Sequence, residues 1–280
     1  MNKKKFTWNK NFNKLIPFSI LLLFFLIIPS IILIVISLTP NVNTDGTNIP
    51  VEDNWNWLGS AVWEKILISI GIAITVTILC MLIGMPFGLF LSQINSNIFK
   101  TLVVIVLTAP MWLSMLIKII GIKTFFDTAN GMPNSTFGQI YTIITLVYLN
   151  LPIFILSILN IAETMPKNLL LASKDLGRNS FQTLIFVVIP YILPGLLMGT
   201  FLVFLPSLTA TGITSFVNNS NDGGLIGDWI FDLGLDSNSS NIALARISSI
   251  SIVMSLLIMG IYLLCYFIPK KIVNFVGGKK

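Results

Sequence analysis

Long apolar runs, separated by short polar segments, make up most of the chain. A helix that crosses a membrane needs about 20 consecutive apolar residues, because each residue advances the helix by about 1.5 Å. Six runs reach that length, so the pattern predicts an all-α integral membrane protein with six transmembrane helices. The predicted transmembrane domain covers residues 15–268, with helices over residues 15–38, 66–92, 98–122, 137–161, 191–217 and 242–268.

The composition excludes a water-soluble domain. Of the 280 residues, 55% are hydrophobic and 10% are charged, and the mean hydropathy is +0.89. A soluble domain carries roughly 25% charged residues. The chain therefore has too few polar side chains to cover a surface in water, and its expected surrounding is a lipid bilayer.

Charge is distributed unevenly between the two sides of the predicted bundle. The N-terminal segment 1–14, the loop after the fourth helix and the C-terminal tail 269–280 carry most of the lysine and arginine, whereas most acidic residues lie in the other loops. Basic segments remain in the cytoplasm. We therefore expect a multi-pass protein of the cell membrane with both termini in the cytoplasm. This distribution also accounts for the net charge of +6 without nucleic acid as a partner.

Residues that support catalysis or metal binding are scarce. The sequence has no histidine, and its two cysteines, Cys80 and Cys265, lie inside apolar runs where packing explains them. It has no metal-binding spacing, no acidic residue within the predicted helices, and no Gly-x-x-x-x-Gly-Lys-Ser/Thr loop that would hold nucleotide phosphates. We expect no enzyme, no metal and no directly bound cofactor, so any ATP hydrolysis belongs to a separate subunit.

The segment between the fourth and fifth predicted helices, residues 162–190, is too long for a simple turn. Pro166 suits the first turn of a helix, and Gly177 suits its end, where a left-handed residue is favoured. Asn179, followed three residues later by Gln, resembles the cap of a second helix. We therefore predict a short helix, a glycine turn with positive φ, and a second helix that enters the membrane at Pro190.

The short helix has two faces on a wheel of about 3.6 residues per turn. One face carries Leu169, Ala172, Ser173 and Leu176, and the other carries Lys167, Leu171, Lys174 and Asp175. Leu171 is thus an apolar side chain on the charged, cytoplasmic side. Two interpretations remain open: an ordinary exposed leucine, or a knob for a groove on a partner.

Residues 171–177, Leu-Ala-Ser-Lys-Asp-Leu-Gly, are followed after nine residues by Val-Val-Ile-Pro. The pair resembles the EAA motif of permeases from ATP-binding cassette (ABC) importers, with Leu171 at the position of the family's Glu. In that family the motif forms a cytoplasmic coupling helix that docks on the ATPase. The resemblance implies a type I, MetI-like permease with six transmembrane helices. It assigns ATPase coupling to Leu171, Ala172, Ser173, Lys174, Asp175, Gly177 and Pro190.

Other segments resemble one subfamily, the spermidine/putrescine permeases. Residues 110–118, Pro-Met-Trp-Leu-Ser-Met-Leu-Ile-Lys, are similar to a Pro-Phe-Trp-x-Ser-x-Leu-Ile-Arg segment of those proteins. Residues 174–183 and 189–195 continue the likeness, which covers roughly residues 15–270. It is greater to the B-type polyamine permease than to its partner, and it implies that spermidine or putrescine is the substrate.

The same resemblance implies a set of partners. These are a dimer of ATP-binding cassette ATPases, a second homologous permease that makes the pair a heterodimer, and an extracellular binding protein that delivers the polyamine. Closure of the ATPases on ATP would push the coupling helix and switch the bundle between inward-facing and outward-facing states.

Five side chains within the predicted helices are candidates for the substrate pathway. Trp112 offers a face for cation–π contact with an ammonium group, and simple packing is the alternative for it. Polar groups at membrane depth often mark functional sites, and hydrogen bonds between helices are the ordinary alternative, which we favour for each. The polar candidates are Asn150, Ser207, Thr209 and Thr211.

Three other functions would leave different signals in the sequence. A permease for another solute, such as a metal, sulfate or thiamine, shares the EAA segment and differs only in the subfamily segments. An autonomous channel or carrier needs no ATPase and gives no reason for the 162–190 segment. An intramembrane enzyme needs paired carboxylates, clustered histidines or a Ser/Lys pair at membrane depth, and the sequence has none of these.

Overall fold

The computed structural model describes residues 12–42, 48–56, 58–130, 135–217, 224–236 and 241–276. This part of the chain is almost entirely helical, because in a membrane an apolar run can satisfy its own backbone hydrogen bonds only as a helix. A two-residue antiparallel strand pair, β1 (Asn41–Val42) and β2 (Asn48–Ile49), is the exception among the described residues. The helices are α1 (Phe12–Leu38), α2 (Asp53–Asn56), α3 (Ser60–Ser92), α4 (Asn97–Thr108), α5 (Met115–Asn130), α6 (Ser135–Ala162), α7 (Lys167–Asp175), α8 (Ser180–Thr183), α9 (Ile189–Leu208), α10 (Ile213–Val217), α11 (Ile226–Asp236) and α12 (Asn241–Val276).

Five stretches of the described chain are long and apolar enough to cross a membrane. Two of the helices involved extend beyond their predicted bounds by more than one helical turn. α3 begins at Ser60 rather than at residue 66, and α12 continues to Val276, into the segment predicted as a tail. The five stretches are Ile16–Leu38, Ser60–Ser92, Phe137–Ala162, Ser180–Leu208 and Ile242–Leu263.

The third predicted span, residues 98–122, consists of two helices in the structure. The segments Asn97–Trp112 and Met115–Thr128 meet at an angle of 97°, and they make a sixth span only if the bent pair is counted as one. The break has a local cause. Pro110 has no N–H to donate, the chain tightens into a 3₁₀ turn over Ala109–Trp112, and Leu113 then adopts an extended backbone. The prediction of one helix over these residues is thereby corrected.

The fifth predicted span, residues 191–217, is also interrupted. α9 ends at Leu208, and α10 begins only at Ile213. Between them Gly212 adopts a φ of +77°. A left-handed residue cannot continue a right-handed helix, so the turn at Gly212 separates the two helices.

One compact unit of the chain extends from Ser60 to Phe231, and its core is the packing of α3, α6 and α9. Phe154 and Ile158 of α6 are fully buried between the other two helices. Glycines at i and i+4 let the helix backbones approach closely. Membrane helices rely on such close packing because no hydrophobic driving force acts between them. These are Gly84 and Gly88 on α3, and Gly195 and Gly199 on α9, all of which lie against α6.

The second unit combines the chain up to Gly59 with the chain from Asp232 onward. Within it, α1 and α12 pack together, and α2 packs on α12. Asn54 of α2 is buried and donates from Nδ2 to the carbonyl of Ser37 at 3.2 Å. The hydroxyl of Ser249 on α12 donates to the Asn54 carbonyl at 2.9 Å. Asn54 therefore ties the short α2 to both long helices of this unit.

Candidate coupling site

The turn after α7 has the geometry that the sequence predicts. α7 follows Pro166 and ends at Asp175, and Gly177 has a φ of +73°. The Arg178 N–H donates to the Ser173 carbonyl at 3.2 Å, and the Gly177 N–H donates to the Lys174 carbonyl at 2.8 Å. This pair of hydrogen bonds is a Schellman motif, which requires a left-handed residue and therefore favours glycine. The predicted positive φ at Gly177 is confirmed.

The second helix of the segment begins at the predicted cap. Asn179 Oδ1 accepts a hydrogen bond from the Ser180 N–H at 2.7 Å, and Gln182 Oε1 accepts one from the Asn179 N–H at 3.2 Å. The Asn179 side chain also accepts a hydrogen bond from the Gln182 backbone N–H. With the Gln182 Oε1 contact this forms a reciprocal capping box, which fixes the direction in which α8 leaves the glycine turn. The predicted cap at Asn179 is confirmed.

α8 joins α9 through a π-helical turn over Leu184–Val188. Pro190, at the start of α9, has no N–H and its ring would clash with a carbonyl one α-helical turn earlier. The wider turn accommodates the ring, and the Ile189 N–H donates to the Leu184 carbonyl five residues back. Pro190 thus lies where the chain that follows the turn at Gly177 enters the membrane helix α9.

Two hydrogen bonds hold α7 against the start of the fifth span. The hydroxyls of Ser173 and Thr183 are buried and lie 2.8 Å apart. The Tyr191 hydroxyl donates to the Thr164 carbonyl at 2.9 Å, just before α7 begins. A displacement of α7 would therefore be transmitted to α8 and α9 through side-chain contacts as well as through the backbone.

The outward side of α7 is more apolar than the sequence analysis indicated. Of the face that carries Leu169, Ala172, Ser173 and Leu176, only Ser173 is buried. Leu176 is 77% exposed, Leu171 is 58% exposed and Leu169 is 40% exposed. The helical wheel grouped these residues correctly, but we did not anticipate that Leu169, Ala172 and Leu176 form an exposed apolar stripe. Their spacing of three and four residues was the available signal.

α7 also lines a cavity of about 750 Å³ beside the turn between α3 and α4. The Lys100 ammonium donates to Glu163 Oε1 at 2.9 Å, which ties the first turn of α4 to the chain just before α7. The α7 residues on this wall recur at i, i+3, i+4 and i+7, so they form one helix face. They are Lys167, Leu170, Leu171 and Lys174.

The structure brings two of the five pathway candidates together. Asn150 Nδ2 on α6 donates to Ser207 Oγ on α9 at 3.2 Å, and also to the Leu146 carbonyl at 2.9 Å. Ser207 is fully buried. These contacts are those of a hydrogen bond between helices, the ordinary alternative for both residues.

The other three candidates lie elsewhere. Thr209 and Thr211 are exposed in the turn after α9, and the Thr209 hydroxyl donates to the Leu205 carbonyl at 3.0 Å. Trp112 lies at the bend between α4 and α5 and is 87% exposed. In the ranges that the structure describes, no hydrogen bond or ring contact joins Trp112 to another candidate.

Sequence reasoning missed a buried acidic residue, Asp228 on α11. Its carboxylate accepts hydrogen bonds from the Thr214 backbone N–H at 3.1 Å and from the Thr214 hydroxyl, and the residue is 4% exposed. The adjacent Gly227 lies against the backbone of Thr209 and Ala210 with no room for a side chain. Asp228 therefore lies beside the turn of the candidate threonines. Acidic residues in loops are normally exposed, so no signal in the sequence marked it.

Residues 80–274 match the family model of the binding-protein-dependent transport system inner membrane component. The chain belongs to this family. The matched range includes α6, the whole segment from α7 to α9, and α12. As a member of this permease family the chain is a multi-pass membrane transport subunit of an ABC importer rather than an enzyme. The family assembles with a separate ATPase and a substrate-binding protein.

Curated relatives cover most of this permease. The spermidine/putrescine transport system permease protein PotB homolog of Mycoplasma genitalium is 37% identical over 277 residues, which is 96% of each chain. PotB of Haemophilus influenzae is 33% identical over 210 residues, covering 67% of this chain and 70% of its own. PotB of Escherichia coli is 28% identical over 236 residues, covering 79% of this chain and 83% of its own.

One solved structure supports the permease fold. It is described as the crystal structure of a bacterial ABC transporter involved in the import of the acidic polysaccharide alginate. The TM-score is 0.66, and the match covers 93% of this chain and 99% of that one at 13% identity. At that identity the likeness shows the shared fold alone, and together with the family match it confirms the predicted all-α permease fold class.

Proposed function

We propose that this permease imports polyamines, spermidine or putrescine, in an ATP-driven complex. The observation that carries the proposal is the similarity to spermidine/putrescine permeases, which extends over 96% of the chain in one relative. The 110–118 and 174–195 segments, through which the sequence resembles that subfamily, support the same substrate.

The proposal includes an orientation and a partner permease. Basic residues in the 1–14, 162–190 and 269–280 segments favour a cytoplasmic location for both termini and for α7. A second, homologous permease completes the translocation pathway as a heterodimer, as the resemblance to the B-type subunit implies. A binding protein delivers the polyamine from outside.

Coupling to the ATPase takes place through α7 and the turn at Gly177. An apolar stripe of Leu169, Ala172 and Leu176 on a cytoplasmic helix loses contact with water when a partner covers it, and this burial favours docking. Leu171, Lys174 and Asp175 lie on the other face of the helix, and Ser173 anchors the helix to Thr183. The turn at Gly177 and the helix start at Pro190 carry the displacement of α7 into α9.

For the substrate pathway, exposure favours a subset of the candidates. The ring of Trp112 is exposed, and so are the side chains of Thr209 and Thr211. Exposed groups of these kinds suit transient contact with a polyamine. Asn150 and Ser207 satisfy each other across α6 and α9. We assign a packing role to that pair and place the pathway nearer the turn at residues 209–212.

Uptake of labelled spermidine and putrescine tests the assignment directly. Cells depleted of the chain are expected to lose ATP-dependent uptake of at least one of the two, and re-expression of the chain should restore it. Exhausting ATP in undepleted cells should give the same loss. Unchanged polyamine uptake after depletion, with an ATPase still co-purifying with the chain, would contradict the substrate while leaving the importer.

The docking stripe makes a second prediction. Leu176→Asp is expected to reduce the amount of ATPase that co-purifies with the chain by about fivefold or more, because hot-spot contacts contribute more than about 1 kcal/mol and the new charge must be desolvated. Leu171→Asp should reduce it as well. Leu176 is 77% exposed, so the change should not disturb folding of the free chain.

Two control variants separate docking from other effects. Leu176→Met keeps the stripe apolar and should keep the ATPase. Leu235→Asp introduces the same charge at another exposed leucine, on α11, and should also keep it. Full recovery of the ATPase with both L176D and L171D would show that α7 does not dock through these side chains.

A further inference from the structure

Two residues of the proposed coupling set, Leu171 and Lys174, line the cavity beside α7, but the coupling scheme gives the cavity itself no role. Its volume is about 750 Å³, and it lies between the α3–α4 turn and the face of α7 that points away from the Leu169–Leu176 stripe. Polar side chains dominate the wall opposite α7. They include Ser92, Gln93, Asn95, Asn97 and Thr101. These side chains supply the hydrogen-bonding groups that a polar ligand would need.

The charge of the lining favours an anion. Three lysines, Lys100, Lys167 and Lys174, face a single carboxylate, Glu163. Among the described residues, Lys100 is the one lysine of the three with an ion pair, its 2.9 Å contact to Glu163. The ammonium groups of Lys167 and Lys174 therefore give the cavity a positive charge that no further carboxylate among its described lining residues offsets.

Two helix N-termini add to this positive potential. α4 begins at Asn97 and α7 begins at Lys167, and both residues line the cavity. The first N–H groups of a helix carry a partial positive charge and favour a bound anion. On α4 the Phe99 N–H already donates to Ser96 Oγ at 3.4 Å, so the remaining N–H groups of its first turn are the ones that face an anion uncapped. Lysines, amide side chains and helix N-termini together are the usual ligands of a phosphate group.

The position of the cavity connects it with the membrane surface. It lies where α3 and α6 end their apolar spans, at Ser92 and Ala162. On the adjacent first turns of α4, Ile98 is 81% exposed and Leu102 is 57% exposed. Apolar side chains that project next to a basic cavity at the end of membrane spans are placed to meet acyl chains below a headgroup.

We propose that the cavity binds a phosphate-bearing anion, with Lys167 and Lys174 as its principal ligands. A phospholipid headgroup from the membrane and a free phosphate share this chemistry. A bound phosphate would join the α3–α4 turn to α7 and restrict the movement of α7. This consequence for coupling rests on the proposed function, whereas the binding itself does not.

The test measures binding of phosphatidylglycerol and of phosphatidylcholine to the purified full chain by native mass spectrometry. A lysine near an anionic headgroup strengthens binding about fivefold. The Lys167→Gln/Lys174→Gln double variant is therefore expected to bind phosphatidylglycerol about 25-fold more weakly than wild type, with phosphatidylcholine unchanged. Lys118→Gln/Lys123→Gln removes the same charge from α5, outside the cavity, and should leave both affinities unchanged.

Two further arms complete the experiment. Lys167→Arg/Lys174→Arg keeps the charge and should bind phosphatidylglycerol as wild type does. Such binding would show that the double glutamine variant loses the lipid through its lost charge and not through misfolding. Inorganic phosphate that displaces the lipid identifies a soluble anion as the source, and lipid retention unaffected by phosphate identifies the headgroup.

Three results would overturn the proposal. The first is that wild type and the double glutamine variant bind phosphatidylglycerol equally and neither binds phosphate. The second is that the Lys118→Gln/Lys123→Gln control loses as much phosphatidylglycerol affinity as the Lys167→Gln/Lys174→Gln variant. The third is a double glutamine variant that keeps the lipid but no longer co-purifies with the ATPase, which would assign the cavity to the ATPase interface. Polyamine uptake does not enter these measurements, so failure here is distinguishable from failure of the proposed substrate.

Discussion

Gly177→Val is expected to reduce ATP-driven uptake to background while the protein still inserts into the membrane. Gly177 has a φ of +73°, and an added Cβ would meet no atom within 4 Å. The cost of the substitution is therefore conformational rather than steric. A non-glycine residue pays about 1–2 kcal/mol in the left-handed region, and a β-branched residue is a stronger outlier there.

Relief of that strain would require breaking the Schellman motif. The hydrogen bonds from Arg178 N–H to Ser173 and from Gly177 N–H to Lys174 both depend on the left-handed turn. Without them, α8 would leave α7 in a different direction, and movement of α7 would no longer reach α9. Uptake by the G177V variant, normalised to its amount in the membrane, measures the effect.

Two controls make the G177V experiment specific. Gly177→Asn should retain much of the uptake, because asparagine tolerates the left-handed region better than other side chains. Gly212→Val imposes the same kind of strain at a φ of +77° but in the turn after α9. The Gly212→Val variant should keep the ATPase attached and leave the turn at Gly177 unaltered. Uptake by G177V at the wild-type level would show that the turn does not transmit coupling.

The features that the sequence predicted well are those with local causes. A glycine three residues after a helical lysine and an asparagine three residues before glutamine specify a C-terminal and an N-terminal cap through neighbouring backbone atoms alone. The structure has both caps at Gly177 and Asn179. The long apolar runs are likewise sufficient to place the membrane helices, although their ends differ by several residues.

The bend at residues 112–115 was not predictable in the same way. Pro29, Pro86, Pro152 and Pro194 lie inside continuous helices, which membrane helices tolerate. Pro110 instead precedes a 97° change of direction. A proline in an apolar run thus permits a break without requiring one, and tertiary packing decides between the two.

The candidate site shows a similar division. The wheel separated two faces of α7, but it could not say that Ser173 alone of the residues it grouped is buried. The hydrogen bond between Ser173 and Thr183 decides this, and it joins residues from two helices whose relative position depends on the turn between them. The burial of Asp228 against Thr214 also depends on a contact between separate elements. A pattern within one helix contains no information about such contacts.

The glycines at residues 84, 88, 195 and 199 were a readable signal that our sequence analysis did not use. A glycine pair at i and i+4 in a membrane helix marks a face of close approach, and both pairs lie against α6 in the structure. Their consequence is the second large effect that we predict. Gly195→Ala is expected to destabilise the packing of α9 on α6 by about 1–3 kcal/mol, the usual range for overpacking.

The expected loss follows from what the new methyl group would touch. An added Cβ at Gly195 would lie 2.8 Å from the backbone carbonyl oxygen of Ser157 and 2.9 Å from the Ile161 side chain. A backbone carbonyl within a buried helix cannot rotate away, so α6 and α9 would have to separate. Thermal unfolding of the purified chain in detergent, followed by tryptophan fluorescence or by loss of monodispersity, measures the destabilisation.

Gly71→Ala is the matched control, because Gly71 lies inside α3 and an added Cβ there meets nothing within 4 Å. It should be neutral or stabilising by up to about 1 kcal/mol, since alanine has the higher helix propensity. Gly199→Ala should be destabilising as well, through overlap with the Ser157 hydroxyl and the Phe154 ring.

A variant of Ser157 distinguishes the close contact at Gly195 from the close contact at Gly199. Ser157→Ala removes the hydroxyl and should partly restore the stability of G199A, but it cannot restore that of G195A, which collides with the Ser157 backbone carbonyl. Equal unfolding temperatures for G195A and wild type would show that α6 and α9 are not held at this distance. Rescue of both variants by S157A would show instead that the Ser157 hydroxyl, and not the backbone approach, sets the spacing of α6 and α9.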